Sequence, residues 1–187
     1  MTGADPFEAF VRRYQDMVFA TAIRLLGNPP EAEDVAQTVF LKAFQRFGEI
    51  GQSPAAAGWL KTVTRNTCLN YLSRYRARWR FFSEIDRSDA GGSETGYEAA
   101  LASDRSPALE MEQAFEREQL EQALLRLPDH QRIPIVLFHF ENTSYQEIAD
   151  ALGVSLGKVK TDIHRGREAL GKKLAKLRQP SLDHEPR

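Results

Sequence analysis

The stretch SYQEIADALGVSLGKVKTDIHRGREAL, residues 144–170, has the pattern of two short helices joined by a tight turn. Ser144 followed three positions later by Glu147 forms a capping box, in which the hydroxyl and the carboxylate each satisfy a free backbone N–H at a helix start. Gly153 stands where a left-handed residue can end a helix without strain. The first helix is therefore predicted to begin at Tyr145 and to end just before Gly153.

The second helix of this stretch follows Ser155, whose hydroxyl can accept a backbone hydrogen bond at a helix start. Its apolar positions Val159, Ile163 and Leu170 are predicted to face inward, and Gly166 allows another helix to approach on the same side. Two short helices that cross closely in this way form a helix-turn-helix. In DNA-binding proteins the second helix of this motif lies in the major groove.

The outer surface of that second helix is strongly basic. Residues 158–178 carry eight Lys or Arg and only two acidic residues, a local charge of +6. A charge run alone is more often a solvated face, but its place in a helix-turn-helix favours DNA binding. The side chains predicted to face outward are Lys158, Lys160, Thr161, His164, Arg165 and Arg167.

The whole chain is almost neutral, but its two ends are basic and its middle is acidic. The 187 residues have a formal net charge of −1, but residues 1–80 carry +4, residues 81–125 carry −8 and residues 126–187 carry +3. The acidic middle is rich in Gly, Ser and Asp and shows no sustained apolar period. We therefore predict a flexible acidic linker between two domains.

Several functional classes lack the residue patterns that they need. The single cysteine, Cys68, excludes an intramolecular disulfide, and a half-buried apolar role is favoured over a redox sensor. The four histidines show no metal spacing, and the chain has neither a glycine-rich phosphate loop nor a nucleophile motif, so no catalytic residue, metal or cofactor is predicted. No apolar run could span a membrane and no signal-peptide core is present, so we expect a cytoplasmic protein.

Three further helices are predicted in the N-terminal part. The first begins at Pro6 and is stopped by the GNPP sequence of residues 27–30, and the second begins near Glu31. The third could run from Ser53 to about residue 80. No strand-like alternation appears, so the chain is predicted to be all-α. Side chains that line up on the outer face of the second helix are Asp34, Gln37 and Leu41.

The third predicted helix combines basic, amide and aromatic residues. Residues 61–80 contain six basic side chains and no acidic one. Cations suit phosphates, amides suit base edges and aromatic rings stack on unpaired bases, so this mixture favours binding of single-stranded DNA. Taken alone, Trp59 and Tyr71 would more often be core residues, because they fall near the apolar stripe.

Over residues 6–178 the chain resembles the smallest bacterial RNA polymerase sigma factors, the extracytoplasmic-function (ECF) subgroup, which keep only regions two and four. EAEDVAQTVFLKAF resembles the polymerase-binding helix, GWLKTVTRNTCLNYLSRYRAR the promoter-melting helix, and LRLPDHQR with the opening stretch resembles region four. The resemblance implies two small helical domains, region two at residues 1–82 and region four at residues 108–178. An acidic linker at residues 83–107 would join them, and a disordered tail would follow at residues 179–187.

Roles for individual residues follow from the resemblance alone. It implies that the clamp coiled coil of the largest subunit of core RNA polymerase is bound by Asp34, Gln37, Phe40 and Leu41. It implies that the unwound −10 element is held by Trp59, Lys61, Arg65, Asn66, Asn70 and Arg74, and that a loop at about residues 47–53 takes up a flipped base. The six outward side chains of the helix-turn-helix would bind the −35 element as duplex.

The function implied is promoter recognition and help with melting of the −10 region, controlled by an anti-sigma factor, with no covalent chemistry and no membrane insertion. A conventional helix-turn-helix repressor or activator is the alternative. This alternative does not explain the function of the third helix, with its basic and aromatic residues. An enzyme has no supporting motif.

Three positions depart from the pattern of the family. Asn70 stands where the family usually has Asp, which could change a pairing with a neighbouring arginine such as Arg74. Asp162 replaces a common Arg on the recognition helix, which would remove a DNA contact. Pro134 lacks the N–H that a helix interior needs, so its helix should begin late, near Ile133, or bend.

Overall fold

The computed structural model describes residues 5–74 and 107–178, and every regular element in these two ranges is a helix. The all-α prediction is therefore confirmed. The predicted tail, and all but the last residue of the predicted linker, lie outside the described residues. The helices are α1 (Pro6–Leu26), α2 (Pro29–Gln45), α3 (Phe47–Ile50), α4 (Ala56–Arg74), α5 (Pro107–Leu125), α6 (Asp129–His139), α7 (Tyr145–Leu152) and α8 (Leu156–Arg178).

Local signals set the junction between the first two helices. The carboxylate of Asp5 accepts a hydrogen bond from the backbone N–H of Phe7 at 3.0 Å, which caps the start of α1. Gly27 has a φ of 68°, a left-handed conformation that favours glycine, and it ends α1. Asn28 caps α2, so this helix begins at Pro29, slightly before the predicted start.

The segment before α4 is more regular than predicted. Residues 47–50 form the helical turn α3, where a loop was expected. Phe47 anchors this turn because its ring meets the rings of Phe7 and Phe10 edge to face, at centroid distances of 5.2 and 5.5 Å. Helix α4 begins at Ala56, and the predicted extension from residue 75 to about residue 80 lies outside the described residues.

The predicted helix-turn-helix is present as α7 and α8. The backbone N–H of Ser144 donates to Glu147 Oε2 at 2.9 Å, and the N–H of Glu147 donates to Ser144 Oγ at 3.3 Å, so both halves of the capping box form. Gly153 ends α7 with a φ of 67°. Ser155 caps α8 by accepting a hydrogen bond from the N–H of Lys158 at 3.2 Å.

Pro134 lies inside α6 rather than at its start, so the expectation of a late start near Ile133 is wrong. The helix begins at Asp129, and Pro134 is buried among apolar neighbours. A proline at this position removes the hydrogen bond to the carbonyl of His130, one turn earlier. We infer that burial of the apolar α6 face compensates for the missing bond.

Cys68 is wholly buried rather than half-buried, and burial raises the pKa of its thiol to about 12. At pH 8 only about one thiol in ten thousand would then be the reactive thiolate. We predict that Cys68 does not react with Ellman's reagent in the native protein and reacts completely in 6 M guanidinium chloride. Rapid labelling of the native protein would contradict the buried position.

Candidate functional site

Helix α2 exposes a face that its own domain does not use. Asp34 and Gln37 are exposed, as the sequence predicted, and Leu41 on the same face is 65% exposed. The opposite face, with Val35 and Val39, is buried in the core. An exposed strip with a carboxylate, an amide and large apolar side chains is typical of a protein-binding surface.

Phe40 is not part of that exposed strip. Its ring is half-buried and packs against the core, so only part of it is open to a partner, and its polymerase contact stays a prediction. Phe44 is instead 60% exposed, although one edge meets the ring of Phe7 at a centroid distance of 5.0 Å. Phe44 was missed in the sequence, but its spacing of three residues from Leu41 and seven from Gln37 could have found it.

Helix α4 places its polar residues on the surface and its aromatic residues against the core. Lys61, Asn66 and Asn70 are exposed. Trp59 and Tyr71 are partly buried and pack against the core, and the DNA contact of Trp59 stays a prediction. The guanidinium of Arg46 lies over the Trp59 ring, 5.8 Å from its centroid. Arg65 is half-buried, and the side chain of Arg74 lies outside the described part.

A cleft lies at the loop that was expected to receive a flipped base. It has a volume of about 710 Å³ and is open to solvent. Its walls combine backbone, small residues and the ring of Phe47, a surface on which a planar base could stack. The residues that line it are Pro6, Ala9, Phe47, Gly48, Glu49, Gly51, Gln52 and Ser53.

On α8 the side chains predicted to contact DNA divide into two groups. Lys160, His164 and Arg167 are exposed, whereas Thr161 and Arg165 are half-buried. The hydroxyl of Thr161 donates to the carbonyl of Gly157 at 3.0 Å. The inward residues are as predicted, because Val159 and Ile163 are almost wholly buried.

Lys158 and Asp162 form a pair at the inner edge of α8. The ammonium of Lys158 donates to the Asp162 carboxylate at 3.2 Å, and the exposed fractions of the two side chains are only 18% and 4%. Lys158 is therefore not the outward-facing side chain that was predicted. The side chain of Asp162 also points inward, so it does not lie on the DNA-facing surface, and the loss of a DNA contact at this position stays a prediction.

Arg167 is held by α6. Its Nε donates to Nε2 of His139 at 3.2 Å, and its guanidinium lies 5.6 Å from the centroid of the Phe138 ring. Partial burial and the charge of Arg167 lower the pKa of His139 below its usual value. A neutral His139 can accept the hydrogen bond, so this contact fixes where Arg167 presents its charge.

Within residues 5–74 and 107–178 no cluster of His, Cys, Asp and Glu could hold a metal ion. In the same ranges no helix is both long enough and apolar enough to cross a bilayer.

Comparison with known proteins identifies both halves of the chain. The family model described as Sigma-70 region 2 matches residues 10–79, and the one described as Sigma-70, region 4 matches residues 117–170. The ECF RNA polymerase sigma factor SigW of Bacillus subtilis is 31% identical over 92% of this chain and 91% of its own length. The RNA polymerase sigma-H factor of Pseudomonas aeruginosa is 33% identical over 91% of this chain and 87% of its own length.

Among solved structures, the sigma factor RpoE in complex with the anti-sigma factor NepR from Bartonella quintana is similar. The structural alignment covers 92% of this chain and 98% of the RpoE chain, with a TM-score of 0.45 and 23% sequence identity.

Proposed function

Because the chain belongs to the ECF sigma factors of RNA polymerase, we propose that it binds core RNA polymerase, directs it to specific promoters and helps to melt the −10 region. The observation that supports this proposal is that one chain contains two separate helices with basic side chains at the surface, α4 and α8, and an exposed strip on α2. A transcription initiation subunit needs all three. A conventional helix-turn-helix repressor would need only α8.

The strip on α2 is our proposed docking site for the clamp coiled coil of the polymerase largest subunit. We assign the contact to Asp34, Gln37 and Leu41, and we add Phe44, because all four are exposed on one side of the helix. A strip that is partly apolar is expected to be covered when the protein is not on polymerase. We therefore also propose that an anti-sigma factor binds there.

The two nucleic-acid helices divide the promoter between them in this proposal. Helix α4 holds the unwound −10 strand through Lys61, Arg65 and the amides of Asn66 and Asn70, while a base enters the cleft before α4. Helix α8 enters the major groove of the −35 duplex with Lys160, Thr161, His164, Arg165 and Arg167. The protein acts by binding, without covalent catalysis, in the cytoplasm. The domain limits proposed are residues 1–82 and 108–178.

Replacing Arg165 or Lys160 by Ala tests the assignment of α8. A lost base contact typically costs about 1–3 kcal/mol at one base pair, whereas a lost phosphate contact weakens all sites alike. We expect roughly a tenfold or larger drop in run-off transcription from a promoter selected by the holoenzyme, and a much smaller drop when its upstream element is scrambled.

Lys176→Ala is the matched control for this experiment, because Lys176 is an exposed cation near the end of the same helix. This variant should not change the ratio of transcription from the intact promoter to transcription from the promoter with the scrambled upstream element. If Arg165→Ala and Lys160→Ala leave that ratio unchanged as well, α8 does not read the upstream element.

A further inference from the structure

Arg46 lies at the junction between α2 and α3 and is not among the residues predicted to bind DNA. Its backbone N–H donates to the carbonyl of Ala43 at 3.2 Å, in the last turn of α2. Its own carbonyl accepts from the N–H of Glu49 at 2.9 Å and from the N–H of Ile50 at 3.1 Å, at the start of α3. Two helices therefore fix the backbone from which the Arg46 side chain projects.

The guanidinium of Arg46 is held between a carboxylate and an aromatic ring. Its Nε and Nη2 donate to Glu49 Oε2 at 3.1 and 2.6 Å, and it lies over the ring of Trp59, 5.8 Å from the centroid. Within residues 5–74 and 107–178 these are the only hydrogen bonds of the side chain. They use two of the five N–H donors that a guanidinium has, so the other donors can bind an anion.

The pair with Glu49 orients Arg46 more than it stabilises the fold. The exposed fractions of the Arg46 and Glu49 side chains are 53% and 67%, and exposed ion pairs contribute little to stability. The ring of Trp59 restrains the guanidinium from a different helix. A cation that is already oriented but still open to solvent loses little conformational freedom when it binds an anion.

The Arg46 guanidinium lies between the two surfaces that we assign to the −10 strand. On one side, its partner Glu49 lines the cleft that is proposed to receive a flipped base. On the other side, Trp59 is in line with Asn66 and Asn70 on α4, because residues seven and eleven positions apart lie within about 20° of each other around a helix. A strand that follows these amides and sends one base into the cleft must pass Arg46.

The cations of α4 with described side chains, Lys61 and Arg65, lie mainly on another side of the helix. They are about 160° and 120° from Trp59 around the helix axis, and both line a separate cleft of about 180 Å³. Arg65 reaches back to Asn66 through a long hydrogen bond of 3.4 Å. A flipped base leaves its phosphates outside its pocket, where they need a cation. Arg46 supplies a cation from α2 at this place.

We propose that Arg46 is a further residue of the −10 site and binds the backbone phosphate of the nucleotide whose base enters the cleft. The pair with Glu49 keeps the guanidinium at the rim of the cleft, and its remaining N–H donors bind the phosphate. This inference rests on the proposed −10 role of α4 and of the cleft, and adds a phosphate contact to that role. Because the ligand is the sugar–phosphate backbone, Arg46 contributes affinity without a preference for one base.

Arg46→Ala tests this contact in the holoenzyme. The probe is a single-stranded oligonucleotide with the non-template sequence of the downstream element, taken from a promoter that the holoenzyme selects. The substitution should weaken binding of this probe about tenfold and should reduce the slope of log Kd against log salt concentration by about 0.7, the value for one phosphate on a single strand. Arg46→Lys keeps the charge and should retain part of the affinity and the wild-type slope.

Neutralisation of single phosphates identifies the partner of Arg46. Each oligonucleotide of a set carries one uncharged methylphosphonate in place of a phosphate. At one position, next to the flipped base, the methylphosphonate should weaken binding by the wild type about tenfold and should have no further effect on Arg46→Ala, since the two changes remove the same interaction. At the other positions the effects of the two changes should add.

Arg12→Ala is the matched control, because Arg12 forms a similar exposed pair with Glu8, also at 2.6 Å, and does not line the cleft. It should bind the probe as the wild type does. Co-elution with core polymerase and the helical circular dichroism of each variant, both expected to match the wild type, separate loss of the DNA contact from loss of the holoenzyme or of the fold.

The possible results distinguish this inference from the proposed function. If Asn66→Ala weakens binding of the probe and Arg46→Ala does not, the −10 role stands and the Arg46 contact is overturned. The contact is also overturned if every methylphosphonate weakens binding by Arg46→Ala as much as binding by the wild type. If the wild-type holoenzyme binds the probe no better than a scrambled oligonucleotide, the −10 role itself fails and the inference fails with it.

Discussion

Val159→Asp is expected to unfold the helix-turn-helix and to abolish promoter-specific transcription. Val159 is wholly buried and lies in one core cluster with Ile148, Ala149 and Ile163. A carboxylate without a partner costs several kcal/mol at such a site, which is a large part of the about 5–15 kcal/mol that stabilises a typical domain. Urea unfolding followed by circular dichroism should show either loss of helix before any urea is added or a greatly lowered midpoint.

Lys160→Asp is the matched control for the effect on folding, because it introduces the same side chain at the next, exposed position of α8. It should keep a midpoint close to that of the wild type. A Val159→Asp protein that unfolds at the wild-type urea concentration would show that α8 does not pack as described.

Asp34→Arg is expected to abolish holoenzyme formation without affecting the fold. Asp34 is exposed on the α2 strip, so the reversed charge leaves the core intact while it repels the partner that the carboxylate attracts. A charge reversal at an interface commonly costs several kcal/mol, which corresponds to a loss of affinity of a hundredfold or more. Size-exclusion chromatography with purified core polymerase measures the result directly.

Asp16→Arg controls for that experiment, since it makes the same change at an exposed position of α1. It should co-elute with core polymerase as the wild type does. Co-elution of Asp34→Arg to the same extent would remove the α2 strip from the docking site, whereas loss of helical signal in the free variant would mean that Asp34 is needed for folding.

Features with local causes were predictable from the sequence. Only neighbouring residues determine the capping box of Ser144 and Glu147 and the left-handed conformation of Gly153. Both features were therefore predictable from the sequence, and both are present in the structure. The end of α1 at Gly27 has a similar cause. The outward position of Asp34, Gln37 and Leu41 followed from helical spacing alone.

Features that depend on partners distant in sequence were not predictable in the same way. The inward position of the Asp162 side chain, beside Lys158 and the core, was not predicted from the sequence. Phe40 and Phe44 differ in sequence environment only slightly, and packing against the rest of the N-terminal domain decides which one is exposed. Arg24 forms hydrogen bonds with Glu121 and Arg132, which lie 97 and 108 positions further along the chain, a distance at which sequence periodicity carries no information.

Mapping of transcript 5′ ends tests the central claim most directly. Purified core polymerase, with and without this protein, transcribes fragmented DNA of the source genome, and the RNA ends are sequenced. We predict a set of start sites that requires the protein, preceded by two common sequence elements at a fixed spacing of the −35 and −10 kind, with the downstream element unwound in permanganate footprints. Start sites that are the same with and without the protein, or that share no upstream elements, would contradict its assignment as a promoter-specific initiation factor.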